Sequence, residues 1–254
     1  MNFSVVAIAN QKGGVAKTTT CLSLGASLAE RGLSVLLIDL DPQAHLTVSL
    51  GVDPGGLRHS VKDAFLGNAS LVSVTRETGV ALLDLAPANE GLSTLDRLLY
   101  GRPRYEFFLR NCLDAMDRGY YDVTLIDCPP SFGTLMLNAF TAAELLVVPT
   151  LCEYYASLSL RQVLRLVQLV RRKTNSKLVY RVLITMFDRR NKISHTIRGQ
   201  LEHSFSDALF ETVIEVDTRL RESPIFGQPI TLYAPRTRAA EQYRALAQEL
   251  ISHA

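Results

Sequence analysis

The chain is 254 residues long, 47% hydrophobic and 20% charged, with a formal net charge of +2. That balance excludes a disordered polyelectrolyte, and no apolar run approaches the roughly 18 residues that cross a bilayer. The first residues form no basic segment ahead of an apolar block, so no signal peptide is expected. Cys21, Cys112, Cys128 and Cys152 form no C-x-x-C pair, which suits reduced, mostly buried thiols in a cytoplasmic protein without a structural metal.

In chain order, residues 3–9 are an apolar run that reads as a buried strand, and 21–29 read as a helix that Gly32 terminates. Residues 34–39 form a second strand, stopped by Pro42. A Gly/Pro-rich loop at 51–60 precedes a short helix at 61–66. A strand at 79–85 ends at Pro87, and the spacing at 92–99 and 105–117 is helical. Residues 121–127 are a strand cut off by Pro129 and Pro130, and 145–149 are another. A long amphipathic helix at 157–173, a strand at 178–186, a helix at 193–205, a strand at 210–216 and a closing helix at 236–252 complete the order. Unbroken apolar runs separated by helices predict an α/β fold, one domain over 1–254, with a parallel-rich sheet covered by helices on both faces.

Charge is segregated along this order. From Arg165 to Arg198 there are ten basic residues against one acid, Asp188, so this window carries +9 and the remainder −7. A segregation of that size points to a polyanion-binding surface more than to a solvated helix face.

The chemistry starts between the first strand and the first helix, at Asn10-Gln11-Lys12-Gly13-Gly14-Val15-Ala16-Lys17-Thr18-Thr19-Thr20. A strand, a glycine-bearing loop and a helix opening on Lys-Thr make a phosphate cradle, because loop and first-turn N–H groups converge on one anion. Lys17 would reach the β/γ-phosphates and the Thr18 hydroxyl would sit on Mg²⁺. Gln11 and Ala16 stand where the usual G-x-x-x-x-G-K-[ST] loop has glycines. If position 16 needs a positive φ, its Cβ costs about 1–2 kcal/mol. Carboxylates gather at the strand ends, where such sheets bind ligands. Asp127 closes one strand, placed to hold Mg²⁺ through a water, and Asp39 and Asp41 stand two apart at the end of another.

Four blocks together resemble the Soj-like ParA partition ATPases of the ParA/MinD group, a P-loop NTPase family with a deviant Walker A loop. They are residues 12–19, L-L-I-D-L-D-P-Q at 36–43, L-I-D-C-P-P at 125–130, and a late set at 183–190, 219–224 and 227–230. The extra N-terminal helix-turn-helix domain of larger plasmid types is not expected, since the first strand starts at Phe3.

The resemblance implies ATP and Mg²⁺ as cofactors, held in the loop by Gly13, Gly14, Val15, Ala16, Lys17, Thr18 and Thr19. It implies that Lys12 crosses to the partner subunit's ATP in a homodimer and that Thr18 and Asp127 organise Mg²⁺. Asp41 would position or activate the attacking water, and Asp39 would support the metal shell. Met186, with Pro224 and Pro229, would match the adenine pocket. Arg190 and Arg219 match arginines that hold non-specific double-stranded DNA; Arg189 competes with Arg190 for that role, and Arg221 lies beside Arg219. The implied activity is weak Mg-dependent ATP hydrolysis, stimulated by a ParB-like or other adaptor, in a cytoplasmic, nucleoid-associated protein that positions a chromosome, plasmid or protein complex.

Three other readings share the loop. A MinD-like membrane ATPase ends in a membrane-seeking helix, whereas Ala239, Tyr243, Leu246, Ala247 and Leu250 are spaced to pack on the core, so no stable membrane association is expected. An iron–sulfur carrier needs paired cysteines that the spacing does not offer. A metabolic ATP-dependent ligase of the dethiobiotin-synthetase type has no use for the +9 segment.

Overall fold

A computed structural model describes residues 4–116 and 119–252. The strand start expected at Phe3 and the helix end expected at Asp117 lie outside the described residues. The strands are β1 Val5–Ile8, β2 Val35–Asp39, β3 Arg76–Glu77, β4 Leu83–Ala86, β5 Val123–Asp127, β6 Leu145–Leu151 and β7 Val179–Thr185. They form one sheet in the order β3-β4-β2-β5-β1-β6-β7, parallel throughout except for the antiparallel β3.

Period-two alternation divides the strand side chains between two cores. Val6 and Ile8 of β1, Val35 and Leu37 of β2, and Val123 and Leu125 of β5 enter one. Ala7, Leu36, Ile38 and Ile126 enter the other. The first core is roofed by α1 Lys17–Ala29 and α12 Arg238–Ser252. The second is roofed by α3 Val61–Leu66, α7 Thr134–Ala142, α8 Ala156–Lys173 and α9 Lys192–Phe205. Both faces are buried, which is why the strands are continuous apolar runs.

Short helices fill the connections: α2 His45–Val48, α4 Leu71–Val74, α5 Leu95–Leu99, α6 Phe108–Asp114, α10 Arg219–Glu222 and α11 Ile230–Tyr233. Gly25 lets α1 sit close on the sheet, since a Cβ there would come within 2.7 Å of the Leu37 side chain. α12 docks by burying Ala239, Tyr243, Leu246, Ala247 and Leu250. It is fixed at the rim by the Arg244–Glu30 ion pair at 2.7 Å.

Two departures from the sequence expectation have physical reasons. The apolar run at 210–216 is not a strand. It runs beside β7 and its extension through scattered backbone bonds, Phe210 N–H to Val182 and Ile214 N–H to Ile184 at 2.9 Å each, and isolated bridges at Leu209 and Glu215, covering the sheet edge without forming a continuous ladder. Conversely, α7 has no amphipathic signature because nearly all of it is buried. Its one large polar side chain, Asn138, is fully used: it donates to the carbonyls of Tyr105 and Thr134 (2.9 Å each) and accepts from Leu109 N–H at 3.1 Å.

Candidate functional site

β1 lies between β5 and β6, so the loop that leaves it emerges at the C-terminal edge of the sheet centre. Each side of this loop is tied to a neighbouring strand end. Asn10 donates through Nδ2 to the carbonyl of Pro149 in β6 (2.7 Å) and accepts the N–H of Lys12 on Oδ1 at 3.0 Å. The Thr185 hydroxyl at the end of β7 donates to the carbonyl of Val15 at 3.1 Å. Both residues are buried. Neither was singled out by the motif, because their role depends on strands that are distant in sequence.

Within the loop, Gly14 has φ +71° and Ala16 φ +64°. Position 16 therefore does require the left-handed conformation, and its Cβ carries the strain, about 1–2 kcal/mol. Ala16 is the N-cap residue that immediately precedes α1. The space over the loop is open: a Cβ added at Gly13 or Gly14 would meet nothing within 4 Å. Lys17 is buried at the base of the cradle and donates from Nζ to the carbonyl of Lys12 at 3.2 Å. Burial lowers its pKa, and the nearby Asp127 opposes that shift. Thr18 and Thr19 occupy the first turn of α1 and remain partly exposed.

The carboxylates divide by what they touch. Asp127 accepts the Thr18 hydroxyl on Oδ2 at 2.6 Å, while its Oδ1 is buried without a partner. Burial, with Asp39 next in size, pushes the Asp127 carboxyl well above its ordinary value. A buried carboxylate with one vacant oxygen beside a threonine hydroxyl fits a hard cation that takes a few oxygen ligands and keeps its waters.

Asp39 is different. It is fully buried, and both oxygens are occupied: Oδ1 by Asp41 N–H (3.0 Å), Oδ2 by the N–H and hydroxyl of Thr47 (2.9 and 2.7 Å). The same Thr47 hydroxyl accepts the Ala88 N–H at 2.9 Å, which links β2 to the end of β4. Burial raises the Asp39 carboxyl to about 6 against these hydrogen bonds. Asp41, two residues on, accepts the N–H of Gln43 on Oδ1 at 3.0 Å. The pair thus fixes the turn leading into α2.

Lys12 forms an ion pair with Glu153, just beyond β6. Met186, held at φ +50° directly after β7, lines a cavity of about 380 Å³ with Cys152, Glu153, Tyr154 and Ile193. Pro224 opens the turn after α10 and the buried Pro229 caps α11.

The cationic residues are not gathered into one patch. α8 precedes β7 and α9 follows it, so the +9 window is strung along the whole seven-residue strand. Arg171 to Lys177 lie at its beginning, and Arg189, Arg190 and Lys192 lie past its end, roughly 20 Å away at about 3.3 Å per residue. Arg189 is tied to the buried Glu215 at 2.5 Å, which also holds Arg238 at 2.6 Å. Arg190 chelates Asp188 (3.0 Å to each oxygen) and holds that carboxyl down at about 2. Arg219 pairs with Glu222 at 2.9 Å, and Arg221 is exposed one position beyond the buried Leu220.

Comparison with known proteins agrees with this geometry. A family model described as an AAA domain matches residues 3–180. The chain is 40% identical over 250 residues to the sporulation initiation inhibitor protein Soj of Bacillus subtilis, covering 98% of both chains. It is also 40% identical over 250 residues to the chromosome partitioning protein ParA of Caulobacter vibrioides, covering 98% of this chain and 94% of that one. A crystal structure titled cobyrinic acid a,c-diamide synthase from Mycobacterium smegmatis, with bound ADP and magnesium, superposes with a TM-score of 0.87 at 37% identity. That match covers 98% of this chain and 94% of the other. Strand order, loop and sequence identity along almost the entire length lead to one conclusion: the chain belongs to the ParA/MinD family of deviant Walker A ATPases, among the Soj- and ParA-like proteins.

Proposed function

We propose that this protein is an ATP-dependent dimerising ATPase that binds non-specific DNA in its ATP state and positions a cargo, with one ATPase domain spanning residues 1–254. The observation that carries the reading is the pairing of Thr18 with Asp127, whose second oxygen is left vacant under a loop built to receive phosphate.

In this reading the N–H groups of residues 13–19 and the Lys17 ammonium hold the phosphates, and Thr18 and Asp127 hold Mg²⁺. Magnesium, when bound, neutralises charge on the phosphate oxygens. Asp41 orients the attacking water. Asp39 supports this shell from behind, through the bonds that fix Asp41 and Thr47. Lys12 leaves Glu153 to reach the partner subunit's nucleotide, so positive charge is added only when two subunits meet. Met186 and the 224–229 segment flank the adenine. Arg189, Arg190, Arg219 and Arg221 bind duplex phosphates, and two such faces in one dimer bind more tightly than one through effective concentration. Hydrolysis is slow until a ParB-like or other adaptor stimulates it, and the protein resides on the nucleoid.

The test is gel filtration and retention on random-sequence duplex DNA with ATP, ADP or no nucleotide. Dimerisation and salt-sensitive retention with ATP alone are expected, and Asp41→Ala should prolong both. A monomer that ignores DNA in every state would overturn the reading. The name of the Mycobacterium structure carries a second reading, a metabolic synthase. That reading predicts nucleotide binding without any DNA retention.

A further inference from the structure

α8 carries five cations (Arg161, Arg165, Arg171, Arg172 and Lys173) and no acid in eighteen residues. Among the described residues none of the five pairs with a carboxylate. The contrast with Arg189, Arg190, Arg219, Arg238 and Arg244 is plain, since each of those has an acidic partner within 3.0 Å. Arg171 turns inward, donating to the carbonyl of Leu178, and Lys173 ends the helix.

The last-turn cations suit the helix dipole, which favours positive charge at the C-terminus. Arg161 and Arg165 stand in the first ten residues, where the dipole gives them no such support. At about 3.6 residues per turn, Arg161, Arg165 and Arg172 fall within about 40° of one another around the axis. They are separated by rises of about 6 Å and about 10 Å. All three are exposed, and Gln168 lies in the same stripe. The inner face of the helix, Leu160, Val163, Val167 and Val170, is buried. This is a straight row of unneutralised guanidinium groups on a rigid element.

We propose that the outer face of α8 is a second nucleic-acid backbone contact, separate from the arginines beyond β7. The inference rests on the DNA-binding reading above and extends it to another surface. The charge match favours a duplex. A double helix carries about one negative charge per 1.7 Å of its axis, so a row about 16 Å long meets phosphates along its whole length. Arginine forks bond such oxygens in pairs. The contact is blind to sequence, because it reaches no base edge.

The experiment compares wild type, the double variant Arg161→Gln/Arg165→Gln, and Arg190→Ala/Arg219→Ala for retention on random duplex DNA across a salt series with ATP. Glutamine keeps helix propensity, and circular dichroism with ATP-dependent dimerisation checks the fold. The α8 variant should bind more weakly and lose about two units of slope in log K against log salt. Unchanged slope and retention, while wild type binds, overturn the α8 surface alone. A wild type that binds no DNA overturns the underlying reading as well. Vesicles of phosphatidylcholine with phosphatidylserine form a further arm: capture of wild type there, lost in the α8 variant while DNA retention is unchanged, would reassign the face to a lipid surface and overturn the proposal.

Discussion

The floor of the phosphate cradle and the cationic edge of the sheet are built from the same kinds of charged residue, yet by opposite rules. At the floor, Lys17, Asp39 and Asp127 are buried within one cluster, and each hydrogen bond there closes off a polar atom that water cannot reach. At the edge, Arg190 and Arg219 pair with carboxylates in open solvent, where such pairs contribute little to stability. A buried charge is constrained by all its neighbours at once, whereas an exposed one stays available for a ligand.

The sharpest way to break this contrast is at the floor. Lys17→Ala is expected to abolish nucleotide binding, measured by calorimetry with ATP and Mg²⁺; a near-normal affinity would remove the cradle assignment. Next in size is Thr47→Val, which keeps shape but leaves Asp39 Oδ2 with the backbone N–H as its single donor and strands the Ala88 N–H. It should lower unfolding free energy by about 1–3 kcal/mol in urea. The sign of its pH dependence follows from Asp39, whose carboxyl is raised to about 6. Above that value the group is ionised and needs the donor most, so the loss should be larger at about pH 7.5 than at about pH 5. An equal loss at both would place the cost in packing. The smallest expected change is Arg219→Ala, within about 0.5 kcal/mol in stability, while its salt slope on random DNA drops by about one unit. A large stability loss there would show that the edge is wired like the floor.

The legibility of the sequence follows the same division. The six parallel strands and the loop could be read because buried strands are continuous apolar runs and because glycines and Lys-Thr mark a cradle locally, whereas the two-residue, exposed β3 carries no such signal. α7 could not be read, since a helix buried on nearly every side has no polar face to give it a period. The run at 210–216 misled for the converse reason: its apolar residues cap a sheet edge and do not extend the ladder. Among the site residues, Asp127 stood out by position. The restraint on Asp39 by Thr47, and on Lys12 by Glu153, depends on residues eight and 141 positions away. The +9 window was visible as composition, and so was the strand that divides it, but only the fold reveals that Arg189 and Arg190 are paired with Glu215 and Asp188.

The bonds from Asn10 to Pro149, from Thr185 to Val15 and from Thr18 to Asp127 tie the loop and the first turn of its helix to three different strand ends. A loop held this way has little freedom left to surrender when phosphate enters. The ordering cost of capture is therefore met during folding, and association is set by encounter with the nucleotide rather than by waiting for the loop to find its shape.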